Sequence, residues 1–442
     1  MNNAELRQHA LGIFQAGIAA ANPYLAVKRH FETSPMSFST YQKVHIIAFG
    51  KAACAMANAA QEIIPAALLG DALAVTNYEN VCAVHNIEVI GASHPLPDEH
   101  GFEGASRILA LAENAKKDDL VFVLISGGGS ALIPYPVAGV TLEEKIITTN
   151  LLLSCGATIH EMNCVRKHLS QLKGGGLVKF LSPATCYTLI LSDVLDDDLS
   201  VIASGTTVGD QSTFAQAIGV LKSKAVWELL PESVKLHLTQ GEQGVIAETP
   251  KIDDPIFDRV TNHLIGSNIV SVNAMQEAAQ SLKYQVVLYQ HPLCGEARDI
   301  AAQWVHWMKN EMRQFVENPT VKRIAFLSGG ETTVTLRGRG RGGRNQEMAL
   351  AFAMSAEAQK MHGKWVFLSG GSDGIDGTSP AAGGIVDATT LIRIRTMQLS
   401  PDDLLDDNNS YGALKAAGDL LLTGATGTNV ADLQILLFEL DA

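Results

Sequence analysis

Short, nearly unbroken apolar runs recur along the chain, separated by stretches whose apolar positions fall three or four residues apart. Val44-His45-Ile46-Ile47-Ala48-Phe49 reads as a buried strand and residues 52–64 as the helix after it. Leu120-Val121-Phe122-Val123-Leu124-Ile125 and Thr188-Leu189-Ile190-Leu191 read as further strands. The apolar stretch 11–27 carries Gln15, Asn22 and Pro23 and is expected to form an amphipathic helix. The pattern loosens over 239–257, where Gly241, Gly244, Pro250, Pro255 and several acids collect, as in a linker. Strand and helix then alternate again: strand 285–289, helix 297–316, strand 323–327, helix 346–361, strand 365–368. Continuous apolar strands joined by helices predict parallel sheets covered on both faces. The expected fold class is therefore α/β, with two domains in series, residues 1–245 and 246–442.

With 442 residues and 47% hydrophobic composition, the chain can build two sizeable cores. No apolar run has the length of a membrane span, and no secretory leader is evident, so a cytoplasmic protein without a membrane partner is expected. The net charge of −13 argues against a nucleic-acid partner. Six cysteines lack C-x-x-C or zinc-like spacing and are expected to be buried reduced thiols.

Against that acidic background, glycine-rich turns with a nearby charge stand out. Gly50-Lys51 and Ser126-Gly127-Gly128-Gly129-Ser130 follow predicted strands, as do Ser328-Gly329-Gly330-Glu331 and Ser369-Gly370-Gly371-Ser372-Asp373-Gly374. Bare backbone amides beside fixed cations suit a polyanion, and a nucleotide triphosphate is the expected one. Ser93-His94-Pro95-Leu96-Pro97-Asp98 is a rigid turn that presents Ser93 and His94, or a plain loop. Asp193, at a strand end, is placed to accept a hydroxyl proton or to hold Mg²⁺, whereas Asp196, Asp197 and Asp198 read as a solvated turn. Arg166 and Lys173 lie in a basic segment ending in three glycines, which reads equally as an oxyanion site or a basic helix face. Arg337 to Arg344 places four arginines in eight residues, followed by Asn345 and Glu347. Gly338-x-Gly340-x-x-Gly343, with Glu357 downstream, matches a dinucleotide fingerprint, so an NAD(P)H-dependent reductase is the rival reading. The alternating strand expected at 332–336, and the arginines within the fingerprint, count against it. No P-loop or protein-kinase signature is present.

Taken in order, these segments resemble the glycerate 2-kinase family. Ala48-Phe49-Gly50-Lys51-Ala52, Ser93-His94-Pro95, Ser126 to Ser130, Lys173-Gly174-Gly175-Gly176 and Ser192-Asp193-Val194 are similar to its N-terminal domain. Ser328 to Glu331, Gly342 to Glu347, Ser372-Asp373-Gly374, Asp376-Gly377 and Gly427 to Asp432 are similar to its C-terminal MOFRL domain. The resemblance implies a Rossmann-like three-layer αβα domain, a C-terminal α/β domain and an active site in the cleft between them. It implies ATP- and Mg²⁺-dependent phosphorylation of D-glycerate at the 2-hydroxyl, with the family's lysine and arginine falling on Lys51 and Arg344. Members have also been labelled hydroxypyruvate reductases. The expected site comprises Lys51, Asp193 and Arg344 in catalysis; Ser93, His94, Arg166, Lys173, Asn345 and Glu347 on the substrate; and Ser126, Gly127, Gly128, Gly129, Ser130, Gly329, Gly330, Glu331 and Asp373 on the nucleotide. The metal ligands and the oligomeric state, a homodimer included, stay open at this stage.

Overall fold

A computed structural model describes residues 2–316 and 322–440. Its contacts divide the chain into two compact units, Pro23–Ile265 and the residues outside that span. The first unit carries a six-stranded sheet: β1 (Val44–Phe49), β2 (Leu69–Asn77), β3 (Glu88–Ala92), β4 (Leu120–Ile125), β5 (Thr185–Leu191) and β6 (Val260–Gly266), in the order β3-β2-β1-β4-β5-β6. The pairs β1–β2, β1–β4, β2–β3 and β4–β5 are parallel. Every residue of β1 and of β4 is buried, which is why both read as unbroken apolar runs. This is the doubly wound strand order, and its switch point, where chain progression reverses, lies between β1 and β4.

The second unit holds β7 (Gln285–Leu288), β8 (Leu293–Glu296), β9 (Arg323–Thr333), β10 (Lys364–Gly371), β11 (Gly383–Asp387), β12 (Leu420–Leu421) and β13 (Asp432–Glu439). Here the expectation of parallel pairing needs correction. The sheet is mixed: β7 and β8 pair parallel with β9, but β13 is antiparallel to both β9 and β10, and β11 to β10. The reason is that β13 closes the sheet from the C-terminal end, between two strands that precede it.

Three further differences follow from packing. The stretch 11–27 forms two helices, Asn3–Ala20 and Pro23–Thr33, because Pro23 starts a new helix. The contact units divide after residues 22 and 265, because the first helix packs with the second unit and β6 joins the first sheet; the expected division was 1–245 and 246–442. It begins with a capping box between Asn2 and Glu5 and buries Leu6, Ala10, Ile13 and Phe14 in the core formed by Val272, Met275, Leu433 and Ile435. Arg7 fastens it by donating to Asp387 (2.7 Å) and Asp419 (2.7 Å). A methyl on Gly370 would lie 2.8 Å from Phe14 Cζ, so that glycine of β10 yields space to a packed ring. Finally, Cys54 and Cys186 are buried, but Cys82 and Cys294 are exposed, correcting the expectation that all six are buried; the described cysteines are free thiols. Among the described residues no single helix is long and apolar enough to cross a membrane.

Phe14→Ala should therefore destabilise the second unit by roughly 3–5 kcal/mol, the cost of truncating a buried aromatic. Urea denaturation followed by tryptophan fluorescence checks this, since Trp304, Trp307 and Trp365 lie in that unit. A loss below about 1 kcal/mol would mean that the first helix is not part of the core.

Candidate active site

In the first unit the turns after β1 and β4 interlock. Gly50 adopts φ +120°, and a methyl there would fall 2.3 Å from Ser126 Oγ, so only glycine permits the approach. Lys51 N–H donates to Gly127 O (2.9 Å), Ala52 N–H to Ser126 Oγ (3.0 Å) and Ser126 N–H to Phe49 O (3.1 Å). Three side chains border the glycines that follow. A methyl on Gly127 would lie 2.2 Å from Asp193 Oδ2; one on Gly128 would lie 3.1 Å from the His94 ring and 3.4 Å from Lys51 Cε. Residues 50–51, 94, 126–129 and 193 are thus one constellation at the switch point of the sheet. Burial raises the pKa of Asp193 above the usual carboxylate value, with Lys51 opposing. Burial, then the Lys51 charge, lowers that of His94, so the imidazole is neutral at pH 7. Asp196 and Asp198 accept from backbone amides of their own turn, as the sequence suggested.

Ser130 links this constellation to a buried cationic group. Its hydroxyl receives Arg166 Nη2 (2.8 Å) and Lys173 Nζ (2.6 Å), and Lys173 Nζ also donates to Ser130 O (2.6 Å). Ser204 Oγ stands 2.9 Å from Ser130 Oγ and donates to Asn163 Oδ1 (2.9 Å). Burial, together with the charges of Arg166 and Lys145, holds Lys173 well below the ordinary lysine pKa.

In the second unit Arg344 opens the helix Arg344–Ala358. Its guanidinium engages Asp432 through two bonds (2.6 and 3.0 Å) and Glu331 through a third (2.6 Å). Burial works against the arginine's charge, but Asp432, Glu331 and Asp376 outweigh it and hold the pKa above its usual value. Asp376 caps the helix by accepting from Asn345 N–H (3.1 Å) and Gln346 N–H (2.9 Å). Asn345 is buried and accepts from Ser369 Oγ (2.6 Å). Glu347 is also buried, and its two carboxylate oxygens receive Arg298 Nε (2.9 Å) and Asn408 Nδ2 (3.1 Å). Gly329 and Gly330 are ladder residues of β9 and not a loop. Methyls there would lie 2.1 Å from Asn268 Oδ1 and 2.2 Å from Leu293 N. Asp373, half-buried in the turn after β10, accepts from Ile375 N–H (2.9 Å).

Comparison with known proteins bears on both units. Residues 9–239 match the family described as Domain of unknown function (DUF4147), and residues 324–432 match the MOFRL family. A glycerate 2-kinase of Pyrococcus horikoshii is 41% identical over 440 residues, spanning 98% of this chain and 97% of that protein. A D-glycerate 2-kinase of Thermotoga maritima is 39% identical over 431 residues, spanning 97% and 98%. The chain belongs to the glycerate 2-kinase family. The crystal structure of a glycerate kinase from Thermotoga maritima superposes with a TM-score of 0.89 at 38% identity, covering 98% of this chain and 100% of that one. A Pyrococcus horikoshii structure gives 0.86 at 40% identity, covering 98% and 99%. An Agrobacterium vitis relative, 37% identical over 436 residues (99% of this chain, 95% of that protein), carries the hydroxypyruvate reductase name in provisional form.

Within this glycerate 2-kinase-like chain the dinucleotide fingerprint has a structural explanation. Methyls on Gly338 and Gly340 would lie 2.3 Å from Asp407 Cα and 2.4 Å from Asn409 Cβ. Arg337 and Gly338 amides donate to Asn408 Oδ1 (2.7 and 2.9 Å). The glycines accommodate the 407–409 segment, β9 ends at Thr333, and the strand expected at 332–336 does not form separately. Sequence reading missed Lys145, Asn163 and Ser204. For Lys145 a signal existed: it shares a helical stripe with buried Thr148 and Leu152, three and seven residues on.

His94 should titrate below 6.5 by NMR, and Lys51→Met should move its midpoint upward by removing the second cause of the depression. An unchanged midpoint in Lys51→Met would separate the two side chains.

Proposed function

We propose that this member of the family phosphorylates D-glycerate at its 2-hydroxyl, using ATP and releasing ADP and 2-phosphoglycerate. The observation that carries the reading is the constellation of Lys51, His94 and Asp193 around three successive glycines at the switch point, where doubly wound sheets bind ligands. The full-length relatedness to two named glycerate 2-kinases supports it.

In this reading the 2-hydroxyl oxygen attacks the γ-phosphorus, the bond from that phosphorus to the bridging oxygen breaks, and Asp193 takes the hydroxyl proton. Its raised pKa brings it nearer the range in which a carboxylate is an effective general base. Lys51 and Arg344 neutralise charge on phosphoryl oxygens. Ser126, Gly127, Gly128, Gly129 and Ser130 meet phosphate oxygens, while Ser93, His94, Arg166 and Lys173 orient the acid. In the second unit Glu331, Asp373 and the β9 segment at Gly329 and Gly330 serve the nucleotide. Asn345 and Glu347 act as positioning residues that fix the helix start from which Arg344 projects, because their polar atoms are already engaged.

A nucleotide-borne Mg²⁺ takes one or two protein carboxylates plus phosphate oxygens. Among the described residues no group of three or more His, Cys, Asp or Glu is poised for a metal, but the hard oxygens of Glu331 and Asp373 fit that smaller demand. They would hold the ion, which would neutralise phosphate charge. ATP and small hydroxy acids are cytoplasmic solutes, and we place the enzyme with them.

Purified enzyme should release ADP only when D-glycerate is present, in a coupled assay, and should not oxidise NADH or NADPH with hydroxypyruvate. Lys51→Ala and Arg344→Ala should each lower kcat/KM by roughly 10²–10³, the range for a preorganised electrostatic contact. Near-normal turnover in both variants would remove the assignment, and NADH oxidation with no ADP release would replace it by the reductase.

A further inference from the structure

We propose that Lys145, Asn163 and Arg166 form a buried receptor for the carboxylate of the acid substrate, with Lys145 its anchoring cation. This rests on the kinase reading for the identity of the acid, but its evidence is separate. Lys145 Nζ, Asn163 Nδ2 and Arg166 Nε are buried nitrogens without a hydrogen-bond partner among the described residues. Lys145 and Asn163 are 5% and 3% exposed. Buried polar groups are almost always paired, so three orphan donors on adjacent helices point to an absent acceptor.

The three residues are placed by local structure. Lys145 lies on the helix Leu142–Ser154 and the other two on the helix Ile159–His168, one turn apart and so on one face. One further polar atom of each of Asn163 and Arg166 is committed. Asn163 Oδ1 receives Ser204 Oγ and Arg166 Nη2 donates to Ser130 Oγ, and the orphan Nδ2 and Nε are donors only. Ser130 directly follows the glycines bordered by Lys51, His94 and Asp193, so the receptor adjoins the proposed site of phosphoryl transfer.

The cations of the group respond to a bound anion through their protonation. Lys173 is held well below its usual pKa by burial and by Arg166 and Lys145, and its amine is engaged by Ser130. Lys145 is pushed down to about 7 by burial and then by Arg166, and it in turn acts on Lys173. The group therefore has one permanent cation, Arg166, and a second, Lys145, that loses its proton readily while no anion is bound. A bound carboxylate stabilises the protonated amine and raises its pKa, so binding above pH 7 takes up a proton, and affinity falls as pH rises through 7.

The test uses the full chain with Lys145→Met, which keeps the aliphatic stem, and Asn163→Asp, which supplies a carboxylate from the protein itself. D-glycerate binding is measured by calorimetry in two buffers of different ionisation enthalpy at pH 8, beside steady-state kinetics and thermal unfolding. Lys145→Met should weaken glycerate, in Kd and KM, by roughly 10–100-fold with the KM for ATP unchanged within twofold, should abolish proton uptake, and should unfold at an equal or higher temperature, because an uncompensated buried charge is gone. Asn163→Asp should raise the unfolding temperature and also weaken glycerate. A rise in the KM for ATP with glycerate unaffected assigns the group to a phosphate and overturns the proposal. So does a destabilised Lys145→Met that still binds glycerate as the wild type does, and so does a wild type that binds no glycerate. If the wild type binds glycerate but turns over no ATP, the kinase reading fails while the receptor stands. If turnover is present and Lys145→Met binds normally, the receptor alone fails.

Discussion

The first unit depends on one steric permission. The loop leaving β1 and the loop leaving β4 touch, and they do so because residue 50 has no side chain to keep Ser126 away. Three backbone-directed bonds then lock the contact, and the lock fixes where the next residues point. Lys51, Gly127 and Ser130 gain their positions from it, and through Ser130 so do Arg166 and Lys173. A single conformational constraint at the centre of a buried parallel sheet thereby organises three basic side chains, Lys51 being distant in sequence from Arg166 and Lys173.

The second unit solves a related problem with different chemistry. Its central arginine is held by a bidentate pair with a fully buried aspartate on β13 and by a third bond to Glu331 on β9. An ion pair with one partner fully buried contributes geometry more than net stability, because desolvation offsets much of the attraction. What it secures is direction: a guanidinium at the start of a helix, with the amides behind it already claimed by Asp376. The electropositive helix end is thus partly spent on a protein carboxylate, and charge at that place comes mainly from the side chain.

Legibility in the sequence followed burial. β1 and β4, solvent-free on both faces, were readable as apolar runs to the residue, and the long amphipathic helix Ala297–Val316 likewise. Strand direction in the second sheet was not readable, since periodicity carries no information about which strand β13 joins. Glycine was the most ambiguous letter. At 50 it serves a tight turn, at 370 it makes room for Phe14, and at 338 and 340 for the 407–409 segment, yet all four sit in similar-looking glycine-rich segments. Lysine was misleading in the opposite sense: the charge of Lys145 argues for the surface, its stripe with Thr148 and Leu152 for the interior, and the fold buries it.

The docking of Asn3–Ala20 onto strands laid down more than 260 residues later has a consequence for biogenesis. The span Pro23–Ile265 is continuous and can condense as soon as it leaves the ribosome. Its neighbour cannot complete its core until β13, near the far end, has been made, and the first helix must wait with its apolar stripe uncovered. A nascent chain arrested partway would keep that stripe bare, an inversion of vectorial folding order.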